Sequence, residues 1–428
     1  MLNYLFDLLV ESDLPGARLM HYTTFRALLA IVISLLVSAW FGSHLIKYFK
    51  RKQITETLRE DDKSNLKSGV PTMGGLIIII AILVPCLLIG RLNNVYMLLL
   101  IITTVWLGIL GFADDYIKTF KKNKDGIPGK VKIIAQVGLG LVIGLTLYLS
   151  PQAVMRENIV VDKGDNIEEV HHKTMPVKSN KTTIPFVKEH NLDYSEIMSF
   201  CGDYKEEAGW ILFVIVTIIV VTAVSNGANL NDGMDGMLGG NAAIIGIALA
   251  VLAYVSSNVN WAEYLNIMFL PGIEEVVIFT FAFIGALIGF LWYNSFPAQI
   301  FMGDTGAMFL GYILATMSIQ GLFKYYAVIS FVVPFLILGL PIFDTGFAIV
   351  RRILKGQSPL QADRGHVHHR LIDLGFDQKQ SVAILYAFST LMGLTAVLLA
   401  RTNESKLIFL AIAVEGWVLP SPVFPINK

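Results

Sequence analysis

The chain has 428 residues, of which 54% are hydrophobic and 15% are charged, and its mean hydropathy is +0.62. This composition excludes an ordinary soluble globular protein and predicts a polytopic helical membrane protein. The formal net charge is zero, so the overall charge gives no argument for a nucleic-acid partner, and two isolated cysteines predict neither a disulfide framework nor a metal knuckle.

Apolar stretches divide the chain into ten predicted membrane spans. A hydrocarbon core of about 30 Å requires about 20 apolar residues per helix. The stretches that meet this length are 25–46, 72–90, 94–113, 131–149, 209–226, 238–255, 274–293, 305–322, 328–350 and 381–400. An eleventh candidate, 407–419, is short and contains Glu415. The predicted fold class is therefore all-α, with ten or eleven transmembrane helices in a single integral membrane domain over residues 1–428.

Basic residues in the short loops predict how the spans are oriented. Lys and Arg are retained on the cytoplasmic side, and they concentrate after spans one, three and nine, in 47–67, 118–132 and 351–379. Odd-numbered spans therefore exit into the cytoplasm. The polar segment at about 150–208 then lies outside the cytoplasm, and its Val, Ile and Thr content allows short strands or a small cap.

Three polar clusters rich in aspartate follow odd-numbered spans and so share the predicted cytoplasmic face. Their members are Asp114 and Asp115 after span three, Asn229, Asp232 and Asp235 after span five, and Asp304 after span seven. Taken alone, an Asp pair reads equally well as a solvated helix end, and an Asx-Gly sequence as a turn. The shared face favours function. Oxygen ligands of this kind predict a Mg²⁺ site shared with substrate phosphates, and they disfavour zinc.

Basic side chains on the same face are candidates for holding phosphate. Lys118 and Lys122 lie beside the first acidic pair, where they would act as point charges, although the positive-inside rule alone explains most lysines of this loop. The segment 363–370 contains His366, His368 and His369 with two arginines, and we expect it to grip a diphosphate or a sugar. Asp344 inside span nine is either functional or simply at a wetter depth.

A non-enzymatic transporter of anionic substrates is the competing class. Transporters place charged groups near the bilayer midplane, in broken helices related by a repeat. Here the charged clusters gather at one predicted membrane face, and the sequence shows no convincing internal repeat. The pattern favours an enzyme.

Four motifs are similar to those of a known family. They are Gly69–Gly75, Phe112–Tyr116, Asn229–Gly236 and Trp292–Gly306. In this order they are typical of the polyprenyl-phosphate N-acetylhexosamine-1-phosphate transferases, which the chain resembles. Residues from about 20 to 306 resemble the branch of peptidoglycan synthesis.

This resemblance implies a reaction, a cofactor and a location. The reaction is transfer of phospho-MurNAc-pentapeptide from UDP-MurNAc-pentapeptide to undecaprenyl phosphate, which gives lipid I and UMP. The cofactor is Mg²⁺, and the partners are the lipid phosphate, the UDP-activated amino sugar and the bilayer. The implied location is the bacterial inner membrane, with a multi-pass chain and a cytoplasmic active site, and the resemblance allows a homodimer.

Roles for individual residues follow from the resemblance, position by position. It implies that Asp304 and Asp232 are metal ligands, and that Asp114, with Asp115 beside it, activates the lipid phosphate. The residues implied to contact the nucleotide, sugar or phosphates are Lys67, Lys118, Lys122, Asn229, Asp232, Asp235, Asn294, Phe301, His366, His368 and His369. Whether Asp114 acts as a base in one displacement or as a nucleophile in two stays open.

The carboxyl-terminal third departs from the peptidoglycan branch. Residues 307–400, including 340–345 and 364–371, resemble the GlcNAc-1-phosphate transferases that start teichoic acid and O-antigen synthesis. The chain therefore resembles two branches joined near Asp304. We favour UDP-MurNAc-pentapeptide as the donor, because the first portion supplies the proposed metal and catalytic groups, and UDP-GlcNAc is the alternative.

Overall fold

The structure is a computed structural model that describes eleven stretches of the chain. They are residues 17–52, 69–123, 125–154, 158–162, 168–172, 178, 181–182, 192–230, 232–264, 269–322 and 371–399. Lys67, Asp344, the three histidines of the segment 363–370, and the predicted spans 328–350 and 407–419 all lie outside the described residues.

Long helices dominate the described part of the chain. They are α1 Thr23–Arg51, α2 Gly75–Ile89, α3 Val95–Phe120, α4 Gly129–Leu149, α5 Lys205–Leu230, α6 Met237–Ser257, α7 Glu274–Asn294, α8 Gly303–Leu322 and α9 Gln378–Leu399. Each contains or overlaps one predicted span. Among the described residues, six helices are long and apolar enough to cross a membrane, namely α1 and α3 to α7. The chain is thus a multi-pass helical membrane protein, and the total of ten or eleven spans stays a prediction.

Small residues bring α1 and α7 into close contact. A side chain at Gly289 would place its Cβ 2.6 Å from the Cβ of Ser38, so only glycine fits this crossing. The hydroxyl groups of Ser34 and Ser38 donate to the carbonyls of Ala282 and Ala286, over 2.6 and 3.1 Å. Small residues and interhelical hydrogen bonds are what hold helices together where lipid removes the hydrophobic driving force. The helix pair α1 and α7 is therefore one rigid side of the bundle.

The segment between α4 and α5 contains the described strands. β1 (Asn158–Asp162) pairs antiparallel with β2 (Glu168–His172), and β3 (Lys181–Thr182) pairs antiparallel with β4 (Leu192–Asp193). The sequence allowed short strands here, and the all-α prediction holds for the membrane helices rather than for this insertion.

A buried ion pair joins the first turns of α1 and α7. Arg26 Nη2 contacts Glu275 Oε1, and both side chains are about 1–2% exposed. Glu275 Oε2 also accepts a hydrogen bond from the Arg91 backbone N–H over 2.9 Å. Nε and Nη1 of Arg26 have no hydrogen-bond partner among the residues that the structure describes. Burial removes the water that would hydrate the guanidinium, so the Glu275 carboxylate is needed to compensate its charge.

We expect Glu275→Gln to destabilise the protein strongly, because it leaves Arg26 as an uncompensated buried charge. Removing one partner of such a pair costs about 3–5 kcal/mol. The measurement is the thermal unfolding midpoint of the purified protein in detergent.

Glu274→Gln is the matched control, since Glu274 is the adjacent helix residue and is only half-buried. The double variant Arg26→Met/Glu275→Leu should recover most of the lost stability, because it removes both charges. Equal midpoints for Glu275→Gln and Glu274→Gln would show that the pair contributes nothing.

Candidate active site

Backbone hydrogen bonds join the start of α2 to the start of α8. Two of the sequence motifs meet there, since the N–H groups of Phe301, Gly74 and Gly75 donate to the carbonyls of Pro71, Phe301 and Met302 over 2.8, 2.8 and 2.9 Å. On the other side, a Cβ at Gly111 of α3 would lie 2.5 Å from the Cα of Thr305. The first turn of α8 is therefore held between α2 and α3.

Asp115 caps the first turn of α8 from outside that helix. Its Oδ1 accepts a hydrogen bond from the Asp304 N–H over 3.1 Å, and its Oδ2 accepts from the N–H and the hydroxyl of Thr305 over 2.9 and 2.5 Å. A carboxylate satisfies the free N–H groups of a helix start and complements its dipole. Gly303 adopts φ 73°, and a Cβ there would lie 2.5 Å from Asp115 Oδ2. Both oxygens of Asp115 are thus committed to placing Asp304.

Asp114 and Asp304 share two lysines. The Lys118 ammonium lies 2.8 Å from Asp114 Oδ2 and 2.9 Å from Asp304 Oδ2. The Lys132 ammonium lies 2.9 and 2.7 Å from the same two oxygens. Asp114 is fully buried, whereas the side chain of Asp304 is 18% exposed. The four groups therefore form a compact charged cluster whose most exposed members are Lys118, at 32%, and Asp304.

Lys132 was not among the residues that the sequence singled out. It belongs to the lysine-rich loop whose charge the positive-inside rule explains, and its place in the first turn of α4 gave no separate signal. The same is true of Ile127, whose backbone N–H donates to Asp114 Oδ1 over 2.6 Å. Both contacts cross from α3 to the following loop and helix.

The three carboxylates fit a divalent metal ion. Asp114, Asp115 and Asp304 each offer an oxygen, and these oxygens lie within 4.8 Å of one another. Asp114 Oδ2 is buried and lies 2.8 and 2.9 Å from the Lys118 and Lys132 ammonium groups. A ligand set made only of carboxylate oxygens suits Mg²⁺. Asp232 is not a member of this group, so its role as a metal ligand stays a prediction.

A second cluster ties the 235–236 loop to the end of α7. Asn294 Oδ1 accepts from the Gly236 N–H over 3.0 Å, and its Nδ2 donates to the Ile300 carbonyl over 2.9 Å. Asp235 Oδ2 accepts from the Ala298 N–H over 3.1 Å. These two predicted substrate-binding residues therefore make structural contacts that fix the loop.

Tyr386 of α9 contacts the same loop. Its hydroxyl donates to the Gly236 carbonyl over 2.6 Å, while Met234, Met237, Leu371 and Leu385 form a small buried apolar cluster beside it. The sequence gave Tyr386 no role, because its partner is 150 positions away. The carboxyl-terminal helix is therefore packed against a motif of the first portion.

The remaining predicted residues differ in exposure. Asn229 and Asp232 are half-buried near the end of α5, and so is Phe301, whose backbone belongs to the pairing described above. Lys122 is exposed just after α3 and has φ 53°. Of the described predicted residues, Asp114, Asp115, Lys118 and Asp304 thus form one cluster, and Asp235 and Asn294 form the second.

The Asp115 cap predicts that Asp115→Asn lowers stability. The amide nitrogen cannot accept from Thr305, so buried donors at the start of α8 lose a partner at about 1–3 kcal/mol. Thermal unfolding of the purified protein measures the change. Asp125→Asn is the control, because Asp125 is exposed in the neighbouring loop. An Asp115→Asn protein as stable as the control would contradict the capping role.

Known proteins give an independent comparison. The family model for glycosyl transferase family 4 matches residues 96–322, which include Asp114, Asp115 and Asp304. Proteins called phospho-N-acetylmuramoyl-pentapeptide-transferase, from Phocaeicola vulgatus and Bacteroides fragilis, are 62% identical over 322 residues, which is 74% of this chain and 76% of each relative. One from Porphyromonas gingivalis is 55% identical over 321 residues. The chain therefore belongs to glycosyl transferase family 4 and, within it, to the phospho-N-acetylmuramoyl-pentapeptide-transferases.

Proposed function

We propose that this protein transfers phospho-MurNAc-pentapeptide from UDP-MurNAc-pentapeptide to undecaprenyl phosphate, and so forms lipid I and UMP. The observation that carries the proposal is the cluster of Asp114, Asp304, Lys118 and Lys132. It combines carboxylates for a divalent metal with ammonium groups for phosphate oxygens at one end of apolar helices. The names of the relatives support the same reaction.

The reaction requires charge neutralisation more than covalent chemistry. An oxygen of the lipid phosphate attacks the β-phosphorus of the donor, the bond from that phosphorus to the bridging oxygen breaks, and UMP leaves with that oxygen. Lys118 and Lys132 neutralise negative charge on the phosphates. Asp114 and Asp304, with Asp232 as a further ligand, would hold Mg²⁺, which supplies orientation of the diphosphate and neutralisation of developing charge when bound.

The two adjacent aspartates take different roles in this proposal. Asp115 accepts three hydrogen bonds from the start of α8, which use three of its about four lone-pair sites, so it acts chiefly as a positioning residue. Asp114 Oδ2 instead contacts Lys118 and Lys132, the proposed phosphate-binding groups. Asp114 is therefore the residue that addresses the lipid phosphate.

The donor is the part of the proposal with a specific rival. The relatives favour UDP-MurNAc-pentapeptide, but about a quarter of this chain lies outside the alignments with them, and residues 307–400 resemble the GlcNAc-1-phosphate transferases. Tyr386 of α9 contacts Gly236, so this carboxyl-terminal portion packs against the 235–236 loop, which contains the predicted substrate-binding residue Asp235. UDP-GlcNAc is therefore the second candidate donor.

The proposed setting is the bacterial inner membrane, with the site on the cytoplasmic face. The lysine-rich loop 118–132 supports this side, because positive residues are retained in the cytoplasm. It also places the site where soluble UDP-linked donors are present. The bilayer and the lipid phosphate are the proposed partners, and a homodimer is compatible with the proposal.

The decisive assay compares the two donors with undecaprenyl phosphate and Mg²⁺ and follows UMP release. We expect turnover with UDP-MurNAc-pentapeptide and its loss when EDTA removes the metal. Exclusive turnover of UDP-GlcNAc would reverse the choice of donor. Binding of a donor without any UMP release would favour the transporter class.

Asp304→Ala and Asp114→Ala are the matched inactive variants for this assay. Each should lower turnover by orders of magnitude, and by far more than it lowers the amount of folded protein. Asp114→Ala should cost more stability than Asp304→Ala, because Asp114 is fully buried and accepts the Ile127 N–H. Asp125→Asn is the active control, since that carboxylate is exposed outside the cluster. Parallel losses of folded protein and activity would mean that the two aspartates are structural.

Cysteine labelling tests the proposed side of the membrane. In a background with Cys86→Ala and Cys201→Ser, we expect Asp165→Cys to react with an impermeant maleimide added to intact cells, because the insertion lies outside. Asp125→Cys should react only after the membrane is opened. The reverse pattern would place the carboxylate cluster on the opposite face.

A further inference from the structure

A buried polar network links three helices just below the charged cluster. Gln136 of α4 donates through Nε2 to the hydroxyl of Ser225 over 3.0 Å and accepts at Oε1 from Asn226 over 2.8 Å. The Ser225 hydroxyl donates to the Met308 carbonyl over 2.9 Å, and the Tyr312 hydroxyl donates to the Gln136 carbonyl over 2.9 Å. Gln136 is therefore the residue at which α4, α5 and α8 are joined by hydrogen bonds.

On both α4 and α8, a residue of the network follows a residue of the charged cluster by the same number of positions. Gln136 follows Lys132 by four positions in α4, and Met308 follows Asp304 by four positions in α8. Residues four apart lie on one helix face, about 6 Å along the axis. The network thus sits one turn below the contact between Lys132 and Asp304.

Helix α5 lies between α4 and α8 and sets their relative position. Gly144 of α4 leaves room for Val214 of α5, since a Cβ there would come within 3.0 Å of that side chain. Gly311 of α8 likewise approaches the Val224 carbonyl of α5, where a Cβ would lie 2.6 Å away. Lys132 therefore reaches Asp304 across helices whose register depends on α5.

The residues of the network are suited to fixing the relative position of the helices. Gln136, Ser225 and Tyr312 are all fully buried, where water does not compete for their hydrogen bonds. A glutamine amide supplies a donor and an acceptor at once, and an apolar replacement would leave Asn226 and Ser225 short of a partner. Asn226 keeps its bond to the Thr222 carbonyl and Ser225 its bond to the Met308 carbonyl, so the bonds lost are the two that join α4 to α5.

We propose that Gln136 is a positioning residue that holds Lys132 against Asp304 by fixing α4 to α5 and α8. The inference rests on the proposed transferase function for its consequence in catalysis. The position of the Lys132 ammonium can be tested without any assumption about the reaction.

Lysine acylation of the full-length protein in detergent tests that position directly. In the wild type, Lys132 should react slowly with an acetylating reagent, because its side chain is 15% exposed and paired with two carboxylates, whereas the exposed Lys130 should react fast. We expect Gln136→Leu to raise Lys132 acylation several-fold while Lys130 is unchanged. Unchanged Lys132 acylation would overturn the proposal.

Two further variants distinguish a specific effect on Lys132 from a general loss of stability. Tyr312→Phe removes only the direct bond from α8 to the Gln136 carbonyl and should raise Lys132 acylation to a smaller extent, even if Gln136→Leu fails to fold. Ser34→Ala is the matched control, because it deletes a buried interhelical bond between α1 and α7. Equal acylation of Lys132 in Ser34→Ala and Tyr312→Phe would mean a general loosening of the bundle.

A double-variant cycle on UMP release tests the catalytic consequence. Gln136→Leu should lower turnover roughly 10-fold to 100-fold in the wild-type background, but by less than about twofold in a Lys132→Ala background, because residues that act through one another are not additive. The same fold-loss in both backgrounds would overturn the proposal. Absence of UMP release from the wild type would instead overturn the proposed function, while the acylation result still decides where Lys132 is held.

Discussion

The capping of α8 by Asp115 is the interaction on which the rest of the site depends. A helix start has free N–H groups, and in a membrane protein these must be satisfied within the protein. A carboxylate from α3 supplies this need and joins two helices whose contacting residues are 189 and 190 positions apart. The close approach accounts for Gly111 and Gly303, since a side chain at either position would overlap the other helix or the carboxylate. Glycine is found at both positions because α3 and the start of α8 cross so closely there.

Charged and polar groups are placed at different depths for different reasons. The pair of Arg26 and Glu275 lies at the starts of α1 and α7, and the aspartate and lysine cluster lies at the end of α3 and the starts of α4 and α8. Between these ends, in the described part of the chain, buried polar side chains such as those of the Gln136 network join helices through neutral groups. This arrangement follows the energetics of the bilayer, where charges are expensive and neutral hydrogen bonds are tolerated between helices.

The sequence was sufficient to predict much of this organisation. Span positions follow from apolar length, and the aspartates, among them Asp114 and Asp304, stand out because their clusters share one predicted membrane face. Three features were beyond its reach: the separate roles of Asp114 and Asp115, the approach of Lys132, and the contact of Tyr386 with Gly236. Each depends on which helices cross and at what register. Neighbouring aspartates or a lysine among lysines carry no local pattern that records such a crossing.

The contact between α6 and α9 limits how parts of this family can be exchanged. A side chain at Gly240 would overlap the ring and hydroxyl of Tyr386, and that hydroxyl is the donor to the Gly236 carbonyl. Gly240 and Tyr386 therefore form a complementary packing contact between the amino-terminal and carboxyl-terminal portions. Exchange of the carboxyl-terminal portion with that of a relative therefore also exchanges a contact of the 235–236 loop, because the hydroxyl that holds the Gly236 carbonyl comes from α9.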